Sequence, residues 1–228
     1  MASITQTLTS SIGQKLVMSL TGLFLILFLV VHLAGNLQLL ADDGGEAFNL
    51  YTYFMTHNPL IKTISYGLYA FILLHAILGI VLRAKNRGAR GVQYAVSTYP
   101  TASWASKQMA LLGILIFAFL LLHMGDFWWK MKFTDQLSMV SYDGVGYAVK
   151  DLYTQVDATF QVTWIVVAYL VGLLALALHL WHGFDSAFQT LGLRNWRFGI
   201  LFKIVGRIYS IVIPLGFAII PIYYLIYR

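Results

Sequence analysis

The 228-residue chain contains no cysteine, and this absence excludes several kinds of chemistry. Disulfide bonds, thiolate-held iron–sulfur clusters and covalently attached c-type haem all need cysteine side chains. Charged residues are also scarce, at 11% of the chain, whereas hydrophobic residues make up 59%. The chain has no flavin fingerprint and no glycine-rich phosphate loop, so no nucleotide chemistry is predicted for it. The composition favours an integral membrane protein.

Long runs without a charged residue predict where the chain crosses the membrane. Each run reaches the roughly 18–20 residues that a spanning helix needs. They cover residues 16–41, 63–82, 108–125, 158–184 and 208–227. The first run is too long for the core of a signal peptide and lacks a clear cleavage site, so it is predicted to be a retained span. We therefore predict an all-α bundle of five transmembrane helices, at about 15–40, 62–84, 107–130, 160–188 and 203–227, as one domain over residues 1–228.

The basic residues are concentrated on one side of the predicted bundle. They lie between the second and third spans and between the fourth and fifth: Arg83, Lys85, Arg87, Arg90, Lys107, Arg194, Arg197, Lys203 and Arg207. The opposite loops carry most of the acidic residues and only four lysines. Because Lys and Arg mark the cytoplasmic side, the N-terminus is predicted inside and the C-terminus outside. The net charge of +6 then reflects this asymmetry and contact with anionic lipid, and nucleic-acid binding is not expected.

Four histidines lie within four different apolar runs, where ionisable side chains are costly and are rarely found without a task. At 1.5 Å per residue, His32 lies about 25 Å from Lys15 and His123 about 24 Å from Lys107, so both fall in the outer half of the bilayer. His75 and His182 fall in the inner half. The spacing of ten residues from Gly22 to His32 recurs from Gly113 to His123. The depths predict an outer pair, His32 with His123, and an inner pair, His75 with His182.

Paired imidazoles on opposing helices are the axial ligands that a haem iron accepts. Each histidine alone has a plainer explanation, a hydrogen bond to a backbone carbonyl or across helices. Zinc or copper also bind imidazole, but one ion would need all four rings at one level. His179 lies three residues before His182, so only one of the two can point well at His75, and the glycine after His182 favours His182. His57 is interpreted as a surface residue. The spans carry no mid-membrane carboxylate, which argues against an ion-coupled transporter.

Together these segments resemble the dihaem cytochrome b membrane anchor of succinate:quinone oxidoreductases, and the similarity runs over nearly the whole chain. It rests on the stretch 19–32 that ends at His32, the His75 segment closed by Arg83, the Gly113-to-His123 spacing, and His182-Gly183 leading to Gln189-Thr-Leu-Gly192. The resemblance implies two haem b groups, with His32 and His123 ligating the distal haem and His75 and His182 the proximal one. Ser19 and Arg83 are placed at a level suited to haem propionates. The chain departs from some fumarate-reducing relatives in having Leu180 where they have a glutamate, so a proton pathway through that position is in doubt.

The resemblance also implies partners and a location. A flavoprotein subunit, where succinate is oxidised, and an iron–sulfur subunit would dock on the cytoplasmic face of a bacterial inner membrane, against inner loops that contain Tyr94, Tyr99, Trp104 and Trp196. Electrons would pass through the two haems to a membrane quinone, expected to be menaquinone, and this chain alone would perform no succinate chemistry. Two alternatives stay open: a cytochrome b subunit of another quinone-linked dehydrogenase, of the hydrogenase or formate dehydrogenase type, and a haem-free membrane scaffold.

Overall fold

A computed structural model describes residues 6, 9–88, 104–194 and 198–228. Its helices are α1 (Ser11–Asn36), α2 (Glu46–His57), α3 (Pro59–Gly88), α4 (Trp104–His123), α5 (Lys130–Phe133), α6 (Leu152–Phe160), α7 (Thr163–Thr190) and α8 (Gly199–Tyr227). A 3₁₀ turn, Leu37–Leu40, extends α1, and a π-helical turn, Met124–Trp129, joins α4 to α5. Two short strands, β1 (Met139–Val140) and β2 (Val149–Lys150), pair antiparallel.

The prediction of an all-α bundle with five spanning helices is confirmed. The membrane helices are Ser11–Leu40, Pro59–Asn86, Lys107–Phe133, Thr163–Thr190 and Gly199–Tyr227, each long and apolar enough to cross a bilayer. The chain is therefore a multi-pass membrane protein. Four of the five helices begin three or four residues before the predicted starts, whereas α7 begins three residues after its predicted start at 160. Polar caps account for the early starts of α1 and α3. Ser10 accepts a hydrogen bond from the Gly13 amide at the start of α1, and Asn58 accepts two from amides of α3.

Helix α7 lies at the centre of the bundle and packs against α1, α4 and α8. Small residues allow its close contacts: Gly172 lies against the Phe119 ring of α4, and Gly206 of α8 lies against Phe184. The most apolar stretches of α7 and α8 are each 33% buried within the chain, whereas those of α3 and α4 are only 6% buried. Helices α3 and α4 therefore expose most of their apolar surface.

The helices alternate in direction, so the molecule has two faces. We call the side where α1 begins the N-terminal face; the end of α3, the start of α4, the end of α7 and the start of α8 also lie there. The opposite side carries a folded layer, residues 41–58 and 134–162, which we call the cap. It contains α2, the two strands and α6. The sequence analysis predicted only loops in these two stretches.

The cap has a hydrophobic core that continues into the ends of the membrane helices. It includes Phe48, Tyr153, Val156, Tyr169 and Tyr224. The Tyr224 side chain is fully buried, and its hydroxyl donates to the Leu39 carbonyl at 2.9 Å. The ends of α1 and α8 are thereby fixed to one another under the cap.

Asn49 joins the two halves of the cap through four hydrogen bonds. Its side-chain amide donates to the Tyr142 hydroxyl at 2.8 Å and to Asp151 Oδ1 at 2.9 Å. Its carbonyl accepts from the amides of Leu152 and Tyr153, each at 3.0 Å. A fully buried amide is stable only when its donors and acceptor are paired, and here they are.

The carboxylate of Asp151 caps the start of α6. It accepts hydrogen bonds from the Thr154 amide at 3.1 Å and from the Thr154 hydroxyl at 2.6 Å. Partial burial acts to raise the pKa of Asp151, but the hydrogen bonds from Thr154, Asn49 and the Tyr153 backbone outweigh it and hold that pKa below its ordinary value. Burial likewise raises the pKa of the neighbouring Tyr142 phenol.

Candidate functional site

The structure brings His32 of α1 and His123 of α4 together. Their ring centroids are 5.7 Å apart and the ring planes are nearly perpendicular, at 83°. These are the two histidines that the sequence analysis grouped by depth in the outer half of the membrane. The pair lies on the side of the bundle nearer the cap.

Aromatic rings surround this outer pair. Phe28 stacks on His32 at 5.1 Å, and Phe217 of α8 lies 5.5 Å from the same ring. The rings around His123 are Phe119, Phe127 and Tyr169, at 5.9, 5.5 and 6.1 Å. Such an enclosure excludes water and supplies apolar surface suited to a flat, hydrophobic cofactor.

A second pair lies deeper towards the N-terminal face, and its partner differs from the predicted one. His75 of α3 faces His179 of α7, with ring centroids 6.2 Å apart and an interplanar angle of 68°. His75 contacts Thr21 of α1, eleven residues before His32. The two histidine pairs are therefore about 16 Å apart along α1.

His182 lies elsewhere, so the predicted pairing of His75 with His182 differs from the structure. Residues three apart on a helix differ by about 60° in direction, and the rotation of α7 turns His179 towards α3. His182 instead lines a small cleft of about 120 Å³ between α7 and α8, beside Asp185 and Arg207. Asp185 forms an ion pair with Arg194 at 3.1 Å.

His75 is held in place by α1. Its Nδ1 lies 3.1 Å from the Thr21 hydroxyl, which also lies within hydrogen-bond distance of the Val17 and Met18 carbonyls. This contact engages Nδ1 and leaves Nε2 as the ring nitrogen available to a ligand. A Cβ at position 22 would lie 3.3 Å from the His75 ring, so Gly22 allows this close approach.

Two buried imidazole nitrogens lack partners among the described residues. They are Nδ1 of His123 and Nδ1 of His179, one in each histidine pair. A buried polar atom without a hydrogen bond costs about 1–3 kcal/mol, and such atoms often mark a site of function. His32 differs, since the Asn36 side-chain amide lies 3.3 Å from its Nδ1 and donates to its carbonyl at 2.8 Å.

The α-helical hydrogen-bond pattern changes immediately after His123. Residues Met124–Trp129 form a π-helical turn, a feature that occurs often at functional sites. Asp126 lies in this turn, and its carboxylate accepts a hydrogen bond from the Tyr169 hydroxyl at 2.9 Å. Asp126 thus forms part of the wall beside the outer pair, as well as lying near the end of the span.

The other predicted site residues are engaged in local contacts. Ser19 is buried and donates to the Lys15 carbonyl at 3.0 Å, while the exposed Arg83 donates to the Lys107 carbonyl at 3.3 Å. His57 is exposed, as predicted, and its ring stacks on Tyr53 at 3.9 Å. Of the residues expected on the docking face, Trp104 is exposed at the start of α4. Tyr94, Tyr99 and Trp196 lie outside the described residues.

The donor set suits a haem iron at each pair. An imidazole nitrogen lies about 2 Å from a bound metal ion, so two rings on opposite sides of one ion would have centroids about 6 Å apart. At 5.7 and 6.2 Å, the rings of each pair are near enough to share one ion. Each pair also joins two different helices and contains one unpaired buried nitrogen. His32 and His123 would therefore hold one haem iron, and His75 would hold the other with His179 as its neighbour.

Three features of this region were absent from the sequence analysis: the His75–His179 pairing, the Thr21 contact and the π-helical turn. The one available signal for His179 was its position on α7. It lies seven residues after Gly172 and four after Ala175, two small residues that are buried on the same helix.

Comparisons with protein-family models, curated proteins and solved structures find no match to this chain.

Proposed function

We propose that this protein is the haem b-binding membrane anchor of a quinone-linked dehydrogenase, of the succinate:quinone oxidoreductase type. The observation that carries the proposal is the presence of two histidine pairs at two levels of one helical bundle. When bound, haem b would supply a reversible one-electron carrier at each level. A quinone in the surrounding lipid, expected to be menaquinone, would be the electron acceptor.

The residues of this chain would orient and shield the two sites. His32 and His123 would hold the outer group within their aromatic enclosure, and His75 would hold the inner one with His179 opposite. The contact with Thr21 would orient the His75 ring, as contacts to the second nitrogen of a metal-binding histidine do.

The proposed partners follow from charge and from the resemblance. The basic N-terminal face would be cytoplasmic and would receive an iron–sulfur subunit and a flavoprotein subunit. A cytochrome b subunit of a hydrogenase or formate dehydrogenase is the second candidate, since it would use the same histidine pairs. Purification of the tagged chain from its native membrane separates the two, because succinate oxidation and a flavoprotein co-purify only in the first case.

The haem sites are tested by a dithionite-reduced minus oxidised spectrum, with haem counted per chain by pyridine haemochrome. We expect about two b haems per chain, and about one after His32→Ala or His123→Ala, because each variant removes an imidazole that would hold the outer haem. The exposed His57→Ala is the matched control and retains both haems.

The inner site is tested with the two histidines of α7 in parallel. His179→Ala is expected to lose the inner haem, while His182→Ala keeps it, since His182 faces α8. If the inner haem were lost in His182→Ala and not in His179→Ala, then His182 would be the ligand. In that case α7 would have to rotate when haem binds. A colourless wild-type protein from cells that make haem would refute the whole proposal.

A further inference from the structure

A cleft of about 340 Å³ opens in the cap, away from both histidine pairs. We call it the cap cleft. Helix α2 forms one wall, the end of α5 another, and the β-hairpin the third. The side chains that matter for its chemistry are Tyr53, His57, Met131, Lys132, Met139 and Lys150.

The charge of this cleft is opposite to that of its surroundings. Two lysines and a histidine line it, and none of the described lining residues is acidic. Lys62 is close enough to Lys132 to repel it, which adds a third ammonium group nearby. The loops of the same face carry most of the acidic residues of the protein, so this concentration of positive charge is local. Ammonium groups held close together without a counter-charge favour an anionic ligand.

Hydrogen bonds within the cap hold two of the side chains that line the cleft, Lys150 and His57. Lys150 Nζ donates to the Met131 and Thr134 carbonyls at 2.8 and 3.2 Å, which leaves one of its three N–H bonds for a ligand. The Nδ1 of His57 donates to the Tyr53 carbonyl at 2.8 Å, so Nε2 is its free nitrogen. The Tyr53 ring stacks between His57 and Tyr147, which stiffens this wall.

The level of the cleft identifies the source of the anion. Lys132 lies next to the last residue of the membrane helix Lys107–Phe133, and Lys62 lies in the first turn of Pro59–Asn86. Lipid headgroups lie at this depth, at the ends of spanning helices. Met131, Met139 and Val149 add an apolar lining that a free inorganic anion does not need but the glycerol and upper acyl chain of a lipid do.

We propose that the cap cleft binds the phosphate headgroup of an anionic phospholipid. Lys132 would contact the phosphate, and Lys150 would contribute its remaining N–H. The bound lipid would brace the cap against the ends of α3 and α5. The proposal is independent of haem, since it uses none of the buried histidines.

Native mass spectrometry of the full-length protein in detergent tests this binding. Phosphatidylglycerol and phosphatidylcholine are titrated separately, and we expect one tightly bound phosphatidylglycerol and no comparable phosphatidylcholine. Lys132→Gln is expected to weaken phosphatidylglycerol binding about fivefold, the effect of one lysine near a charged membrane surface. Lys132→Arg is expected to restore it.

Lys130→Gln is the matched control, because it removes the same charge two residues away without lining the cleft, and it should leave binding unchanged. Equal weakening by Lys130→Gln and Lys132→Gln would overturn the proposal in favour of general surface charge. Equal binding of the two lipids would also overturn it. A third arm adds inorganic phosphate alone, and binding of phosphate without binding of phosphatidylglycerol would assign the cleft to a free anion instead.

Discussion

Asn49 and Asp151 show how much of the cap depends on single polar side chains. Asn49 is fully buried and connects α2 to the start of α6, while Asp151 accepts from Asn49 and caps the same helix turn. A charge-assisted hydrogen bond is about twice as strong as a neutral one, so the ionised form of Asp151 is the stabilising form. Because hydrogen bonding holds the pKa of Asp151 below its ordinary value, the folded cap favours the carboxylate.

This preference predicts how the stability of the cap depends on pH. A carboxyl group whose pKa is lowered on folding stabilises the protein above its unfolded pKa, about 3.9, and loses that effect as the pH falls through the lower folded value. Hydrogen exchange of the α6 amides measures it, with Asp151→Asn as a variant that caps but does not titrate. We expect wild type to be better protected than Asp151→Asn at pH 6.

The difference in protection should shrink as the pH falls through the lowered pKa of Asp151, because below that pKa both side chains are neutral. Comparison at equal pH removes the intrinsic pH dependence of exchange. Asp135→Asn, at an exposed position in the same layer, should match wild type throughout. A difference between wild type and Asp151→Asn that does not change with pH down to the acid unfolding of the protein would show that the charge of Asp151 is not what stabilises α6.

At the level of elements, the sequence predicts the membrane helices well and the cap poorly. A spanning helix is required by solvent, because every backbone polar group in hydrocarbon must be paired within the helix. An apolar run such as 63–82 is therefore expected to form a helix. The cap helices Glu46–His57 and Leu152–Phe160 are short and polar on one side, and they depend on Asn49, a contact between residues about 100 positions apart. No local pattern encodes such a contact.

For the histidines, the sequence predicts the depth along a helix but not the direction around it. Depth along a helix follows from residue number, so His32 and His123 could be grouped before their contact was observed. Direction around a helix depends on how the whole helix is rotated by its packing. For His179 and His182 the choice is decided by contacts of α7 with α4 and α8, including those of Gly172 and Gly206.

Helix α7 depends on Gly172 to approach α4, which yields a prediction for this element. A Cβ at position 172 would overlap the Phe119 ring, so Gly172→Leu forces α4 and α7 apart. We expect a loss of about 2 kcal/mol in stability, the usual cost of overpacking a close helix contact. Thermal unfolding in detergent measures the change.

Gly67→Ala is the control for this prediction. It lies within α3, where an added Cβ meets no atom within 4 Å, so its effect should be within about 1 kcal/mol of wild type. Equal destabilisation by Gly172→Leu and Gly67→Ala would mean that the α4–α7 contact does not limit the stability of the bundle.

The whole molecule is asymmetric across the membrane. The N-terminal face carries most of the arginines, whereas the cap face carries a folded layer with its own core. The basic face is the side on which the proposed soluble partners would bind. The asymmetry is consistent with the proposed anchor, whose protein partners would all lie on one side.

The predicted orientation of the chain in the membrane connects the basic N-terminal face with the proposed partners. It is easy to test because the chain has no cysteine, so an introduced thiol is the only one that can be labelled. Asp143→Cys places one thiol on the exposed cap, and Ser11→Cys places one at the start of α1. If positive charge sets the orientation, a membrane-impermeant maleimide should label Asp143→Cys in intact cells and Ser11→Cys only after the membrane is opened. The reverse pattern would put the basic face outside, where cytoplasmic subunits cannot reach it, and the proposed assembly would then be impossible while the histidine pairs would remain. Labelling therefore separates the claim about partners from the claim about haem, which rests on contacts inside the bundle and not on its direction.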